Sequence, residues 1–146
     1  MTVNIKTKDC EILNKNPPIV FPYELDTFQK NAINSIEEDN HVLVTAHTSA
    51  GKSTVAEYAI SKALSENKKV VYTSPIKTLS NQKYFDFVQN YDSVGILTGD
   101  IKQNPDANCI VMTTEILRNM LFRGNEFISQ LGYVIFDEIH YINDRD

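Results

Sequence analysis

Short β-branched runs alternate with segments of helical spacing along most of this chain, and this restricts its fold more than any other feature. HVLVTA (41–46), KVVYTS (69–74), SVGIL (93–97), NCIVM (108–112) and YVIF (133–136) read as strands. Between the first two, apolar residues recur at Val55, Ala56, Ala59, Ile60, Ala63 and Leu64, which predicts a helix over 52–67. A helix is expected over 27–39, capped by Asp26, with Phe28, Ala32, Ile33 and Ile36 along one face. Another is expected over 76–90, with Ser74 as cap and Pro75 in its first turn. A last one spans 113–121 and stops at Gly124. Strand alternating with helix, with near-continuous apolar strands, predicts an α/β fold: a mostly parallel sheet covered by helices on both faces. The 146 residues fit one domain. Pro17-Pro18 blocks helix in residues 1–20, which read as a lead-in to a domain at 21–146.

In parallel sheets, ligands lie beyond the carboxyl ends of strands. AHTSAGKS (46–53) falls there, between the strand at 41–46 and the helix that follows. It resembles the phosphate loop G-x-x-x-x-G-K-[ST], with Ala46 in place of the first glycine. A compact loop points successive N–H groups inward, and the helix start adds partial positive charge. Ala46, His47, Thr48, Ser49, Ala50, Gly51, Lys52, Ser53 and Thr54 are the residues that would surround a triphosphate. Gly51 allows close backbone approach, Lys52 reaches the β- and γ-phosphates, and Ser53 offers a hydroxyl to Mg²⁺. A chance G-K-S at a helix start is the plain alternative.

DEIH (137–140) follows the apolar strand at 133–136. A carboxylate at the end of a buried strand, in a sheet that already carries a phosphate loop, is a Mg²⁺ partner. Asp137 would hold the metal and Glu138 would orient and deprotonate the attacking water. An acidic pair that merely ends a strand is the alternative. Lys52, Ser53, Asp137 and Glu138 together imply Mg-dependent hydrolysis of a nucleoside triphosphate, accelerated by positioning and charge stabilisation.

Beyond these residues, the chain resembles one family over about 21–146. DEIH is similar to the D-E-x-H box of superfamily 2 helicases, FPYELDTFQKNAI (21–33) to their Q motif, and TSPIKTLSNQKY (73–84), TGD (98–100) and TTEIL (113–117) to their motifs Ia, Ib and Ic. The wording of AHTSAGKS, SPIKTLSNQKY, NPDANCIVMTTEILRNML and VIFDEIHY resembles the superkiller-type, exosome-assisting DExH-box RNA helicases, in which alanine at position 46 is ordinary. The resemblance implies a RecA-like P-loop domain that uses ATP and Mg²⁺ to unwind or translocate along RNA. It implies that Gln29 reads the adenine edge and that Tyr23 stacks on the base, with a solvated helix residue and plain core packing as the respective alternatives. His140 would relay nucleotide state toward the RNA.

Ser74, Pro75, Lys77, Asn81, Thr98, Gly99, Thr113 and Thr114 are the candidate nucleic-acid residues, at strand ends and helix starts where N–H and hydroxyl groups suit phosphate. Helix caps and turns are the alternative for each. A local grip of this kind reconciles RNA binding with a net charge of −5, which argues against coating nucleic acid by bulk charge. The implied substrate is RNA, single-stranded or with a 3′ overhang, and subunits of an RNA-decay complex are implied partners. A DNA-acting superfamily 2 helicase and a binding fragment without catalysis stay open. A transporter ATPase is disfavoured, because no L-S-G-G-Q stretch occurs.

Cys10 and Cys109 are far apart and read as reduced thiols, and no His/Cys cluster has metal-ligand spacing. No apolar run approaches a membrane span and the first ten residues lack the apolar core of a signal peptide, so an intracellular protein is expected. The sequence stops six residues after DEIH, before any S/T-A-T motif or second RecA-like domain, and Arg118, Arg123 and Arg145 lie in no finger-like motif. The reading is therefore a sheet incomplete at its C-terminal side and a half-motor that barely hydrolyses nucleotide alone.

Overall fold

The computed structural model describes residues 10–46, 49–124 and 126–139. The chain divides into two compact units, residues 1–62 and 63–146.

In the first unit, α1 spans Thr27–Glu37, with Asp26 as N-cap and Gln29 closing a capping box. Its buried face carries Ala32, Ile33 and Ile36, as the spacing predicts. The lead-in is fastened to this helix. Asn34 donates from Nδ2 to the Glu11 carbonyl (2.8 Å) and accepts the Leu13 N–H (2.9 Å), and Asn14 donates to Glu37 (3.1 Å). Residues 10–14 thus belong to the packed unit, although 1–20 reads as a separate lead-in from sequence. The second helix, α2, spans Ser49–Ser65 and begins three residues before the expected 52. It buries Val55, Tyr58, Ala59 and Ile60. Tyr58 donates its hydroxyl to Glu37.

HVLVTA (41–46) forms no strand. A strand exists through its ladder of hydrogen bonds to a neighbour, and no described strand pairs with this segment. Its side chains alternate between exposed and half-buried, with Leu43 74% exposed.

The second unit carries the sheet. Its strands are β1 (Lys69–Ser74), β2 (Val94–Leu97), β3 (Lys102–Gln103), β4 (Cys109–Thr113) and β5 (Leu131–Phe136), in the order β3-β2-β4-β1-β5. Among the described strands, pairs β1–β4, β1–β5 and β2–β4 are parallel and β2–β3 is antiparallel. The two central strands are buried on both faces, which is why their sequences are near-continuous apolar runs. One face packs on α3 (Lys77–Asn90), where Tyr72 meets Phe87 edge-on at 5.1 Å. The opposite face carries Val71, Ile110 and Met112, packed with Leu117 of α4 (Thr114–Arg123) and Phe127 of α5 (Glu126–Gln130). Because successive strand residues face opposite sides, α3 and α4 cover opposite faces, as the pattern predicts.

One expected boundary shifts for a local reason and another holds. Ser74 does not cap α3: the N-cap is Ile76 and Pro75 precedes the helix, while Ser74 Oγ accepts the Ile76 N–H in a short turn (3.4 Å). At the far end of α4, Gly124 takes the left-handed conformation (φ 57°) that lets its N–H bond the Met120 carbonyl, as expected of a helix-stopping glycine. Two elements have no counterpart in the sequence reading, β3 and α5. The segment leading out of β3 lies against β2 so closely that a Cβ on Gly95 would stand 2.1 Å from the Asn104 carbonyl oxygen.

Candidate functional site

The phosphate-loop residues lie at the start of α2. Helical backbone already includes Ser49, Ala50 and Gly51, so the first turn, whose N–H groups lack intrahelical partners, belongs to the loop motif itself. His47 and Thr48 lie outside the described residues. Ala46 is half-buried before the helix, and Lys52 and Ser53 are half-buried within its first turns.

Tyr23 and Gln29 reach this same turn. Gln29 is 4% exposed, so the solvated alternative does not hold. Its Oε1 accepts the Asp26 N–H (2.8 Å) and its Nε2 donates to the Gly51 carbonyl (3.1 Å). One amide thereby caps α1 and fixes the loop glycine. Tyr23 is 49% exposed, not packed in the core, and its hydroxyl lies 2.8 Å from Thr54 Oγ1. Its ring leans on Phe21 at 5.6 Å. Behind them stands a charge network. Burial would raise the Glu37 carboxyl, but hydrogen bonds from Tyr58 and Asn14 and the Lys62 charge at 3.6 Å outweigh it and hold it below its ordinary value.

In the second unit, parallel topology brings strand ends to one edge. Ser74 ends β1 and is the register partner of Thr113, which ends β4. Thr98 follows β2, and Asp137 follows β5. In sheet order the edge reads Thr98, Thr113, Ser74, Asp137, spanning three strand spacings or about 14 Å. Thr114 begins α4 beside Thr113.

The hydroxyls at this edge shape turns. Thr98 Oγ1 accepts the Ile101 N–H (3.1 Å) and Ser74 Oγ accepts the Ile76 N–H (3.4 Å). Lys77 pairs with Asp100 at 2.8 Å, and a Cβ on Gly99 would stand 3.4 Å from its ammonium. Asn81 sits on α3 with its Oδ1 buried and lacking a hydrogen-bond partner among the described residues. Pro75 lies in the turn between β1 and α3.

Asp137 is the most firmly held group here. Its N–H donates to the Thr73 carbonyl (2.9 Å), its Oδ1 accepts the Glu138 N–H (2.9 Å), and its Oδ2 accepts the hydroxyl of Tyr72. Glu138 takes a left-handed backbone (φ 54°), rare for a non-glycine residue and frequent where function dictates geometry. Burial, then the hydrogen bond to Asp137 and the charges of Asp137, Glu138 and Asp86, push the Tyr72 phenol far above its ordinary value, so it donates at all working pH. His140 and Arg145 lie outside the described residues.

Tyr72 and Asp100 are absent from the sequence-derived site. A tyrosine inside an apolar strand reads as packing, and its partner lies 65 residues away. The acid of TGD carried a signal, since it stands beside a strand end and a lysine candidate stands at the start of the preceding helix.

A phosphate-loop sequence at a helix start and an acid pair after a parallel strand mark the chain as a P-loop protein. It belongs to the DEAD/DEAH box helicase family, whose model matches residues 26–146. It is 54% identical over 146 residues to antiviral helicase SKI2 of Saccharomyces cerevisiae, covering 99% of this chain and 11% of that protein. It is 54% identical over 126 residues to exosome RNA helicase MTR4 of Homo sapiens, covering 86% and 12%. To DExH-box ATP-dependent RNA helicase DExH9 of Arabidopsis thaliana it is 52% identical over 133 residues, covering 91% and 14%. The chain therefore spans little more than a tenth of the length of these relatives.

Proposed function

We propose that this chain is the ATP-binding half of a DExH-type RNA helicase, coupling Mg·ATP hydrolysis to unwinding of, or movement along, RNA. The observation that carries the reading is the carboxyl edge of the sheet, where a clasped carboxylate stands in one row with three hydroxyl-bearing strand ends. Lys52 would neutralise the β- and γ-phosphates, and Ser53 and Asp137 would hold the metal. Asp137 suits Mg²⁺: it offers hard oxygen donors, and each oxygen keeps a second lone pair beyond the bond it accepts. When bound, the ion supplies charge neutralisation across the phosphates. Glu138 takes the proton of the attacking water. Tyr23 would stack on the base with its exposed face, and Gln29, which fixes Gly51, would read the adenine edge.

RNA phosphates then lie along Ser74, Pro75, Lys77, Asn81, Thr98, Gly99, Thr113 and Thr114, gripped by local donors rather than by net charge. A single-stranded or 3′-overhang RNA, a second RecA-like domain and RNA-decay subunits complete the reading, in an intracellular setting. His140 relays nucleotide state toward the RNA. The names of the relatives, an antiviral helicase and an exosome RNA helicase, support the RNA-decay reading.

The test is RNA-stimulated ATP turnover and strand displacement by the full-length protein. Lys52→Ala and Glu138→Gln are each expected to lower turnover by about a hundredfold or more, with displacement of RNA duplexes preferred over DNA. Unaltered turnover in either variant contradicts the hydrolysis reading, and DNA preference contradicts the RNA reading.

A further inference from the structure

Tyr72 lies in the buried middle of the sheet, 2% exposed, two residues before the strand end at Ser74. Its ring is fixed from α3, edge-on to Phe87 at 5.1 Å and with the Lys83 ammonium 5.9 Å from the ring centre. Such a ring has little freedom, so its hydroxyl marks a fixed point. That hydroxyl donates to Asp137 Oδ2, while the Glu138 N–H takes Oδ1. A carboxylate held through one oxygen still turns about its side-chain bonds. Held through both, from two separate parts of the backbone, it keeps one orientation. The backbone beneath is tied as well, through Asp137 N–H to the Thr73 carbonyl.

We propose that Tyr72 is the positioning residue for the Asp137 carboxylate, orienting it to receive the divalent cation that accompanies the nucleotide. The proposal rests on the reading of Asp137 as a metal-holding residue. Groups that orient metal ligands change metal affinity by about 10- to 100-fold when removed.

The experiment is Mg²⁺ titration of RNA-stimulated ATP turnover by the full-length protein at fixed ATP. Tyr72→Phe keeps the ring on Phe87 and removes only the donor. It is expected to raise the half-saturating Mg²⁺ concentration about tenfold and to recover near-parental turnover when Mg²⁺ saturates. Thr73→Val serves as the structural control. It removes a neighbouring side-chain tie, from Thr73 Oγ1 to the Ile135 carbonyl of β5, keeps the backbone carbonyl that accepts the Asp137 N–H, and should leave the Mg²⁺ midpoint in place. Should Tyr72→Phe fail to fold, 4-fluorophenylalanine at position 72 fills the hydroxyl's space without donating and gives the same test. Asp137→Asn separates the two levels of the reading. If it turns over like the parent, the metal-holding role fails, and the proposal with it. If it is inactive while the Tyr72 variants keep the parental midpoint, the metal-holding role stands and the positioning role of Tyr72 is overturned.

Discussion

HVLVTA at 41–46 and KVVYTS at 69–74 are near twins by composition: six residues each, rich in β-branched side chains, with a threonine just before the last residue. Only the second is a strand. KVVYTS has β4 on one side and β5 on the other, and five of its six residues are buried. HVLVTA has no described strand partner and leaves Leu43 mostly in solvent. Strand propensity measures how well a side chain fits a pleated, half-buried surface, so the neighbours decide the outcome.

The contrast is sharpest in a pair of truncations in the 146-residue chain. Ile110→Ala, in the fully buried strand beside β1, is expected to cost about 2–5 kcal/mol in denaturant unfolding. Leu43→Ala is expected to stay within about 0.5 kcal/mol of the parent. Equal losses would show that 41–46 is packed like the sheet, and the distinction between the segments would collapse.

A smaller effect probes the first unit. Glu37→Gln removes the charge that Tyr58, Asn14 and Lys62 address, for an expected loss of about 2 kcal/mol at pH 7. The folded carboxyl titrates below its ordinary value of 4.5, so its contribution is complete above that pH and is lost as pH falls through the lowered value. Melting curves of parent and variant should therefore differ at pH 7 and approach each other below pH 4.5. A gap that persists in acid would mean that shape, not charge, matters at residue 37.

The smallest effect concerns the edge of the sheet. Asp100 occupies the Lys77 ammonium in an exposed pair, so an RNA phosphate held by Lys77, as proposed, would have to displace it. Such pairs are worth little, about 1 kcal/mol at most. Asp100→Asn is expected to tighten single-stranded RNA binding by about two- to fivefold at low salt, and less as salt rises. Unchanged or weaker binding would remove Lys77 from the RNA path.

What could be read in advance follows the same division. Parallel strands buried on both faces announce themselves as apolar runs, and α1, α2 and α4 show one-sided burial or a glycine stop, so the α/β class and most elements were legible. β3 was not, because two exposed residues, Lys102 and Gln103, carry no periodicity. Five-residue α5 is too short to show one. Ser74-Pro75 looked like a helix start because serine caps and prolines favour first turns, yet here the serine oxygen serves the turn before the helix. In the site, the loop and the acid pair are contiguous stretches with fixed spacing. The Tyr72–Asp137 contact exists only once β1 and β5 are neighbours, and no local pattern announces it.

Whether Lys52 and Glu138 serve one reaction is decided by a double-mutant cycle on RNA-stimulated ATP turnover in the full-length protein. Groups acting as a unit are non-additive, so Lys52→Ala with Glu138→Gln should lose about as much turnover as the more damaging single change. Losses that multiply, or a single variant that turns over like the parent, would show that the loop and the acid pair do not share one triphosphate.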